Sequence, residues 1–213
     1  MHSSVKILAV SDATSPIIYS ENFPNNLPHF DLVLSAGDMS GHVLEFMATK
    51  LTIQPVYVLG NHCNGYITDN QGNSHLPGGC INAHNRVVNI GGVLIAGLEG
   101  SARYRPGPHQ YREWEMEWFV NSLTPRLLWN QFRYGRAVDI LLTHAPPKGK
   151  HEGSDFPHRG IPAFNRFAYL WQPKLHVHGH VHLSGANAPR EYVTETGMRV
   201  VNAYEFTLID IDL

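Results

Sequence analysis

The feature that most constrains this chain is a repeated unit: a short apolar run that stops in a residue able to bind a cation. Val5-Lys6-Ile7-Leu8-Ala9-Val10 stops at Ser11-Asp12, and Asp31-Leu32-Val33-Leu34-Ser35-Ala36 stops at Gly37-Asp38. Pro55-Val56-Tyr57-Val58-Leu59 ends in Gly60-Asn61-His62, and Asp139-Ile140-Leu141-Leu142-Thr143 ends in His144. Runs of this length and composition fill buried strands. Between the second and third, His42 to Lys50 places Val43, Leu44, Phe46 and Met47 at helix-compatible spacing. Strand, helix, strand predicts right-handed crossovers and a largely parallel sheet, with functional groups gathered beyond the carboxyl ends of the strands. A single aspartate there could be a turn former or helix cap, but a succession of such ends is hard to ascribe to turn chemistry.

A fifth run, Leu175-His176-Val177-His178-Gly179-His180-Val181-His182, carries four imidazoles at alternate positions. In a strand, Leu175 and Val177 share one face and the histidines the other. For His176 and His178 the expectation is a solvated strand face. Gly179 breaks the strand and lets His180 and His182 converge on an ion.

The rest of the chain reads as scaffold. Thr14 to Phe30, with Pro16, Pro24 and Pro28, is mainly loop, as are residues 63 to 86. Gly91-Gly92 joins Arg86–Ile90 to Val93–Leu98 in a hairpin. Tyr111 to Phe132 is an amphipathic helical stretch broken by Pro125, with Trp114, Trp118 and Trp129 expected in the core. Gly149 to Pro162 is an irregular loop in which His151, Asp155, His158 and Arg159 are expected to be solvated. Ala163 to Trp171 is helical, stopped by Pro173, and Arg199–Tyr204 and Glu205–Ile211 are strands that close the sheet. Without internal repeats, low-complexity segments or a linker, residues 1–213 read as one domain.

Apolar content of 43% and charged content of 16% suit a globular enzyme, and the net charge of −2 comes without any basic run. That argues against a nucleic-acid partner, and leaves room for a small phosphorylated substrate. Cys63 and Cys80 make neither a disulfide framework nor a zinc-type pair. No signal pattern and no apolar run approaching the roughly 20 residues of a membrane span is present. The expectation is a cytoplasmic protein with reduced thiols and no membrane partner.

Asp12, Asp38, Asn61, His62, His144, His180 and His182 thus form one constellation. Oxygen and imidazole donors without thiolates suit Mn, Fe, Zn, Ni or Co at two adjacent sites. Two such ions about 3.5–4 Å apart clamp a phosphoryl group and activate water, which makes phosphate ester hydrolysis the natural reaction. Arg103 and Arg105, in the Gly- and Pro-rich loop after Leu98, are either surface arginines or guanidinium forks that position the substrate.

Taken together, Asp12, Gly37-Asp38, Gly60-Asn61-His62, His144 and Gly179-His180-Val181-His182 resemble, in order, the motifs of the calcineurin-like metallophosphoesterases. The resemblance implies a four-layer αββα sandwich of two mixed sheets flanked by helices. It implies that Asp38 bridges two divalent metals, with Asp12 and His182 on the first and Asn61, His144 and His180 on the second. The nucleophile would be a metal-bridging hydroxide, and His62 would face the leaving group as general acid or charge stabiliser. A phosphodiesterase is the first expectation, with manganese as the metal to try. The alternatives are a catalytically weakened metal-binding scaffold and a nuclease. Three positions depart from the family pattern. Thr14 stands where the family has the His of Asp-x-His, so the first metal site is short of a ligand. Cys63 replaces an Asp or Glu, as a small packed residue or a soft ligand, and Gly41 stands where some relatives carry an Asp.

Overall fold

The apolar runs fold into two sheets in a computed structural model that describes residues 4–62, 65–184 and 188–213. In chain order the elements are β1 Ser4–Ser11, β2 Leu32–Ala36, α1 Gly41–Lys50, β3 Val56–Val58, β4 Ile67–Thr68, β5 Ser74–His75, β6 Ile81–Asn82, β7 Arg86–Ile90, β8 Val93–Leu98, β9 Ser101–Ala102 and β10 Gln110–Tyr111. They continue with α2 Glu113–Ser122, α3 Thr124–Tyr134, β11 Ile140–Thr143, α4 Pro162–Trp171, β12 Leu175–His178, β13 Glu191–Val193, β14 Arg199–Asn202 and β15 Glu205–Asp212. One sheet has the order β15-β1-β2-β3-β6 and the other β13-β14-β12-β11-β8-β7. The strands that lead into the constellation are parallel to their inner neighbours, and β15, β13 and β7 pair antiparallel at the edges.

Strand periodicity explains why these runs are apolar throughout. In β1, Ile7 and Ala9 point into the layer between the sheets, where they meet Ile95, Leu142, Val177 and Val201 of the other sheet. Leu8 and Val10 point outward, under Val43, Leu44 and Met47 of α1. In β8 and β11, Ile95, Ile140 and Leu142 face inward, while Leu94, Ala96 and Leu141 lie under Met116, Val120, Leu127, Phe164 and Phe167 of the other helices. Both faces of these inner strands are therefore covered, and the layers run helix, sheet, sheet, helix.

Several expectations are corrected. His176 and His178 are not on a solvated face: both are fully buried. The segment before α4 and α4 itself cover that side of β12, with the Phe164 ring edge-on to His176. His176 Nε2–H donates to the Thr143 hydroxyl at 2.8 Å, and His178 pairs through Nε2 with His151 Nδ1 at 2.7 Å. His151 is accordingly buried too, against the expectation for its loop.

Trp114, Trp118 and Trp129 are not core residues, being 63%, 59% and 53% exposed. The core seats under α2 and α3 are taken by Met116, Val120, Leu123 and Leu127, which form an i, i+4, i+7, i+11 stripe of their own. The two C-terminal strands do not close a single sheet: β14 joins β12, whereas β15 pairs with β1 in the other sheet. The stretch from 63 to 86 includes the short strands β4, β5 and β6. No helix among the described residues is long and apolar enough to cross a membrane.

Candidate metal centre

Three residues of the constellation have left-handed backbone, each just past a strand: Asp12 at φ 62°, Asp38 at φ 52° and His180 at φ 67°. Such conformations are costly for non-glycine residues and persist where surrounding structure enforces them, commonly at functional sites. Here the enforcement is visible. The Asp12 amide donates to Gly37 O at 3.1 Å. The His180 amide in turn donates to Asp12 Oδ2 at 2.9 Å, which locks the end of β12 to the end of β1. The His62 amide donates to Asp38 Oδ1 at 2.9 Å, tying the end of β3 to that of β2.

The backbone must come close for this to happen. A Cβ on Gly60 would lie 2.0 Å from Asp38 Oδ1, and one on Gly179 would lie 2.5 Å from Asp12 Oδ2. The glycines of the Gly-Asn-His and Gly-His-x-His motifs are therefore contact requirements of the carboxylates beside them.

His144 is fully buried at the centre. Its Nδ1–H donates to Ala36 O at 2.8 Å, which turns Nε2 toward Asn61 Oδ1 at 3.0 Å and Asp38 Oδ2 at 3.2 Å. Asp12, Asp38 and His144 each offer one ligand atom, and these atoms lie within 4.8 Å of one another. Burial works against the charge on Asp38, but His144 and the His62 amide outweigh it and hold its pKa below the usual value. Burial also opposes the charge on Asp12, and the His182 ring and the charge on His144 prevail there in the same way. Burial likewise penalises a charged His144, yet Asp38 and Asp12 pull its pKa up. Two ionised carboxylates, an amide oxygen and an imidazole nitrogen thus converge on one point, and this donor set fits a divalent cation of the Mn, Fe or Zn type.

The remaining imidazoles surround that point. His180 is buried, with its ring 4.8 Å from that of His144. Its Nε2–H donates to Pro157 O at 2.8 Å, so Nδ1 keeps its lone pair, and burial pushes the pKa down to about 3. His182 Nε2 stands 3.7 Å from Asp12 Oδ1 and its ring lies against Tyr204. His62 Nε2 is 3.8 Å from Asp38 Oδ2; its side chain is 59% exposed, at the rim.

All seven residues of the constellation are brought together. Arg103 and Arg105 are placed differently: Arg103 Nε donates to Gln110 O, and the Arg105 guanidinium lies over the Tyr104 ring. Between them, Tyr104 reaches the centre, its hydroxyl accepting from Asn61 Nδ2 at 3.2 Å. Sequence reasoning passed over Tyr104, although its place between two candidate arginines marked the loop. His158, expected to be solvated, has its ring 4.9 Å from that of His180, and its Nδ1 pairs with Asp155 Oδ1 at 2.7 Å.

The Thr14 side chain is exposed and its hydroxyl points to Met39 Sδ at 3.7 Å. Gly41 has no room for a side chain, since a Cβ there would lie 2.9 Å from Gly65 O. Cys63 lies outside the described residues. Cys80 is free and half-buried, and burial raises its thiol pKa to about 11.

Comparison with known proteins agrees with this geometry. The family model of the calcineurin-like phosphoesterases matches residues 6–184. No curated protein matches the chain significantly. Among solved structures, TT1561 of Thermus thermophilus is similar with a TM-score of 0.59 at 14% identity, covering 99% of each chain. GAP50, described as the anchor in the inner membrane complex of Plasmodium, is similar with a TM-score of 0.52 at 13% identity, covering 93% of this chain and 71% of that one. At such identities the likeness shows the fold, while the family match spans every strand end that carries a ligand-type residue. The chain belongs to the calcineurin-like phosphoesterase family, whose chemistry is metal-dependent hydrolysis of phosphoric esters.

Proposed function

We propose that this protein is a metal-dependent phosphodiesterase in which Asp12, Asp38 and His182 hold one divalent cation and Asp38, Asn61, His144 and His180 hold a second. The observation that carries this reading is the position of Asp38. One of its oxygens faces the His62 amide, the other faces His144 Nε2, and Asp12 stands close by. Bound cations supply Lewis acidity toward the phosphoryl oxygens and lower the pKa of water.

The chain's own groups do the rest. The Ala36 carbonyl aims Nε2 of His144 inward, and the Pro157 carbonyl leaves Nδ1 of His180 free. Outer partners of this kind fix tautomer and ring direction. His62, exposed at the rim beside Asp38, hands a proton to the departing alkoxide. His62 and His182 are both more than half exposed, leaving space for an ester arm on either side, which favours a diester. Arg103 or Arg105 positions the substrate from the loop that carries Tyr104.

The test is hydrolysis of bis(p-nitrophenyl) phosphate against p-nitrophenyl phosphate with manganese supplied. Turnover of the diester should exceed that of the monoester and disappear in Asp38→Ala and His62→Ala. Inactivity toward both esters across manganese, iron, zinc, nickel and cobalt would overturn the reading.

A second reading, a metal-binding scaffold with weakened catalysis, is favoured by one observation: the Thr14 hydroxyl is directed to Met39. GAP50, which has a similar fold, is described as an anchor. A scaffold would bind metal without turning over either ester. A nuclease is disfavoured by the net charge of −2, and a salt-insensitive KM for a small diester would count further against it.

A further inference from the structure

A cavity of about 360 Å³ has walls that include Arg103, Arg112, Lys148 and Arg159 together with Tyr111 and Phe156. Its size is that of a small-molecule site. The lining carries these four cationic residues and two acidic ones, Glu113 and Glu152. Glu152 is occupied by the backbone: its Oε1 accepts from the Gly149 amide at 3.2 Å and its Oε2 from the Gly160 amide at 3.0 Å. Glu113 stands in the first turn of α2, where the helix dipole attracts it. Among the described residues the arginines in ion pairs are Arg136, Arg166 and Arg199, none of which lines this cavity. Arg103 uses Nε on Gln110 O and keeps its other donors. The Arg159 guanidinium lies 3.8 Å over the Phe156 ring, and that ring is 49% exposed.

Two chain connections tie the cavity to the centre. Arg159 follows His158, whose ring is 4.9 Å from that of His180, and Arg103 precedes Tyr104, whose hydroxyl holds Asn61. From this juxtaposition, and resting on the phosphoesterase reading above, we infer that the cavity is the subsite for a second phosphate of the substrate. The same substrate carries a planar ring that lies against Phe156. The substrate class is thus a nucleotide-like ester, with its scissile phosphoryl group over Asp38 and its second phosphate among Arg103, Arg112, Lys148 and Arg159.

The experiment is calorimetric titration of the metal-free protein, kept in EDTA, with adenosine 5′-monophosphate and with adenosine. Without cations, Asp12 and Asp38 repel phosphate, so binding reports the cavity and not the centre. The monophosphate should bind at least about tenfold tighter than adenosine, and Arg159→Ala and Lys148→Ala should each weaken it about tenfold. Arg159→Lys should restore part of the loss, and Phe156→Ala should weaken both ligands. Thermal melts identify any variant that does not fold, and Lys148→Ala carries the test if Arg159→Ala is one of them. Equal affinity for the two ligands, no binding of the monophosphate, or wild-type binding by both folded charge-removal variants would overturn the inference. Failure of every ester to be hydrolysed would instead strike the functional reading, because this titration needs neither metal nor turnover.

Discussion

The side-chain amide of Asn61 is held by Tyr104, its Nδ2 donating to the phenol oxygen at 3.2 Å, while its Oδ1 faces His144 Nε2 at 3.0 Å. The phenol therefore decides which end of the amide faces the centre. Tyr104→Phe keeps the ring and removes the acceptor. Outer partners of ligands typically contribute about 10–100-fold in affinity or activity. Tyr104→Phe should weaken manganese binding by about tenfold, with a melting temperature near that of the wild type. Unchanged manganese dependence in a titration of the apoprotein would show that Asn61 orients without it.

Gly60→Ala tests the close approach at the end of β3. The added carbon would meet Asp38 Oδ1 at 2.0 Å and the Asp38 amide nitrogen at 2.7 Å. Neither the carboxylate, held by the His62 amide and His144, nor the backbone can retreat without loss. Overpacking of this kind costs about 1–3 kcal/mol. A urea melt should show that loss, and ester hydrolysis should vanish with it.

How far the sequence could be read follows from what each signal depended on. The strand ends were legible because each repeats the same local event, a buried run stopping at a ligand-type residue, and parallel pairing brings those ends to one edge. Asp12, Asp38, Asn61, His62, His144, His180 and His182 were all singled out this way, and the fold brings them together. The hairpin of β7 and β8 was legible in Gly91-Gly92 for the same local reason. Burial of His176, His178 and His151 was not, because it depends on α4 and the preceding segment arriving over β12 from elsewhere in the chain. The tryptophans misled because α2 and α3 offer two apolar stripes, and only the one containing Met116, Val120 and Leu127 reaches the sheet. Tyr104 and His158 act through long-range contacts in irregular loops, where periodicity says nothing.

The buried histidines predict acid sensitivity. Burial lowers the pKa of His151 to about 4 and that of His178 to about 3, from an ordinary value of 6.5. His151 Nε2 has no hydrogen-bond partner among the described residues, as suits an unprotonated nitrogen. Between these values the unfolded chain binds protons that the folded chain refuses, so stability is full above the unfolded pKa and falls as pH drops toward the folded ones. Each such group contributes a slope of up to about 1.4 kcal/mol per pH unit. Denaturant melts between neutral pH and mild acid should show the decline, and His151→Gln should flatten it by about one proton's worth. An identical slope in His151→Gln would assign the sensitivity to other groups.

Metal binding should itself be a stability term, because the centre draws Asp12, Asp38 and His144 together from three strands. A ligand that binds only the folded chain stabilises it by about 2.7 kcal/mol at a concentration a hundred times its Kd. Manganese should therefore raise the melting temperature of the EDTA-treated protein, and Asp38→Asn, which removes a charge shared by both proposed sites, should abolish most of that rise. Thr14→His should act in the opposite direction. The present hydroxyl is spent on Met39 Sδ, whereas an imidazole next to Ala13 adds a donor on the Asp12 side of the centre. Its melting temperature without metal should match that of the wild type, and the manganese-induced rise should grow and saturate at lower concentration. If the rise is the same in Thr14→His and in the wild type, the first site is already complete without a ligand at that position.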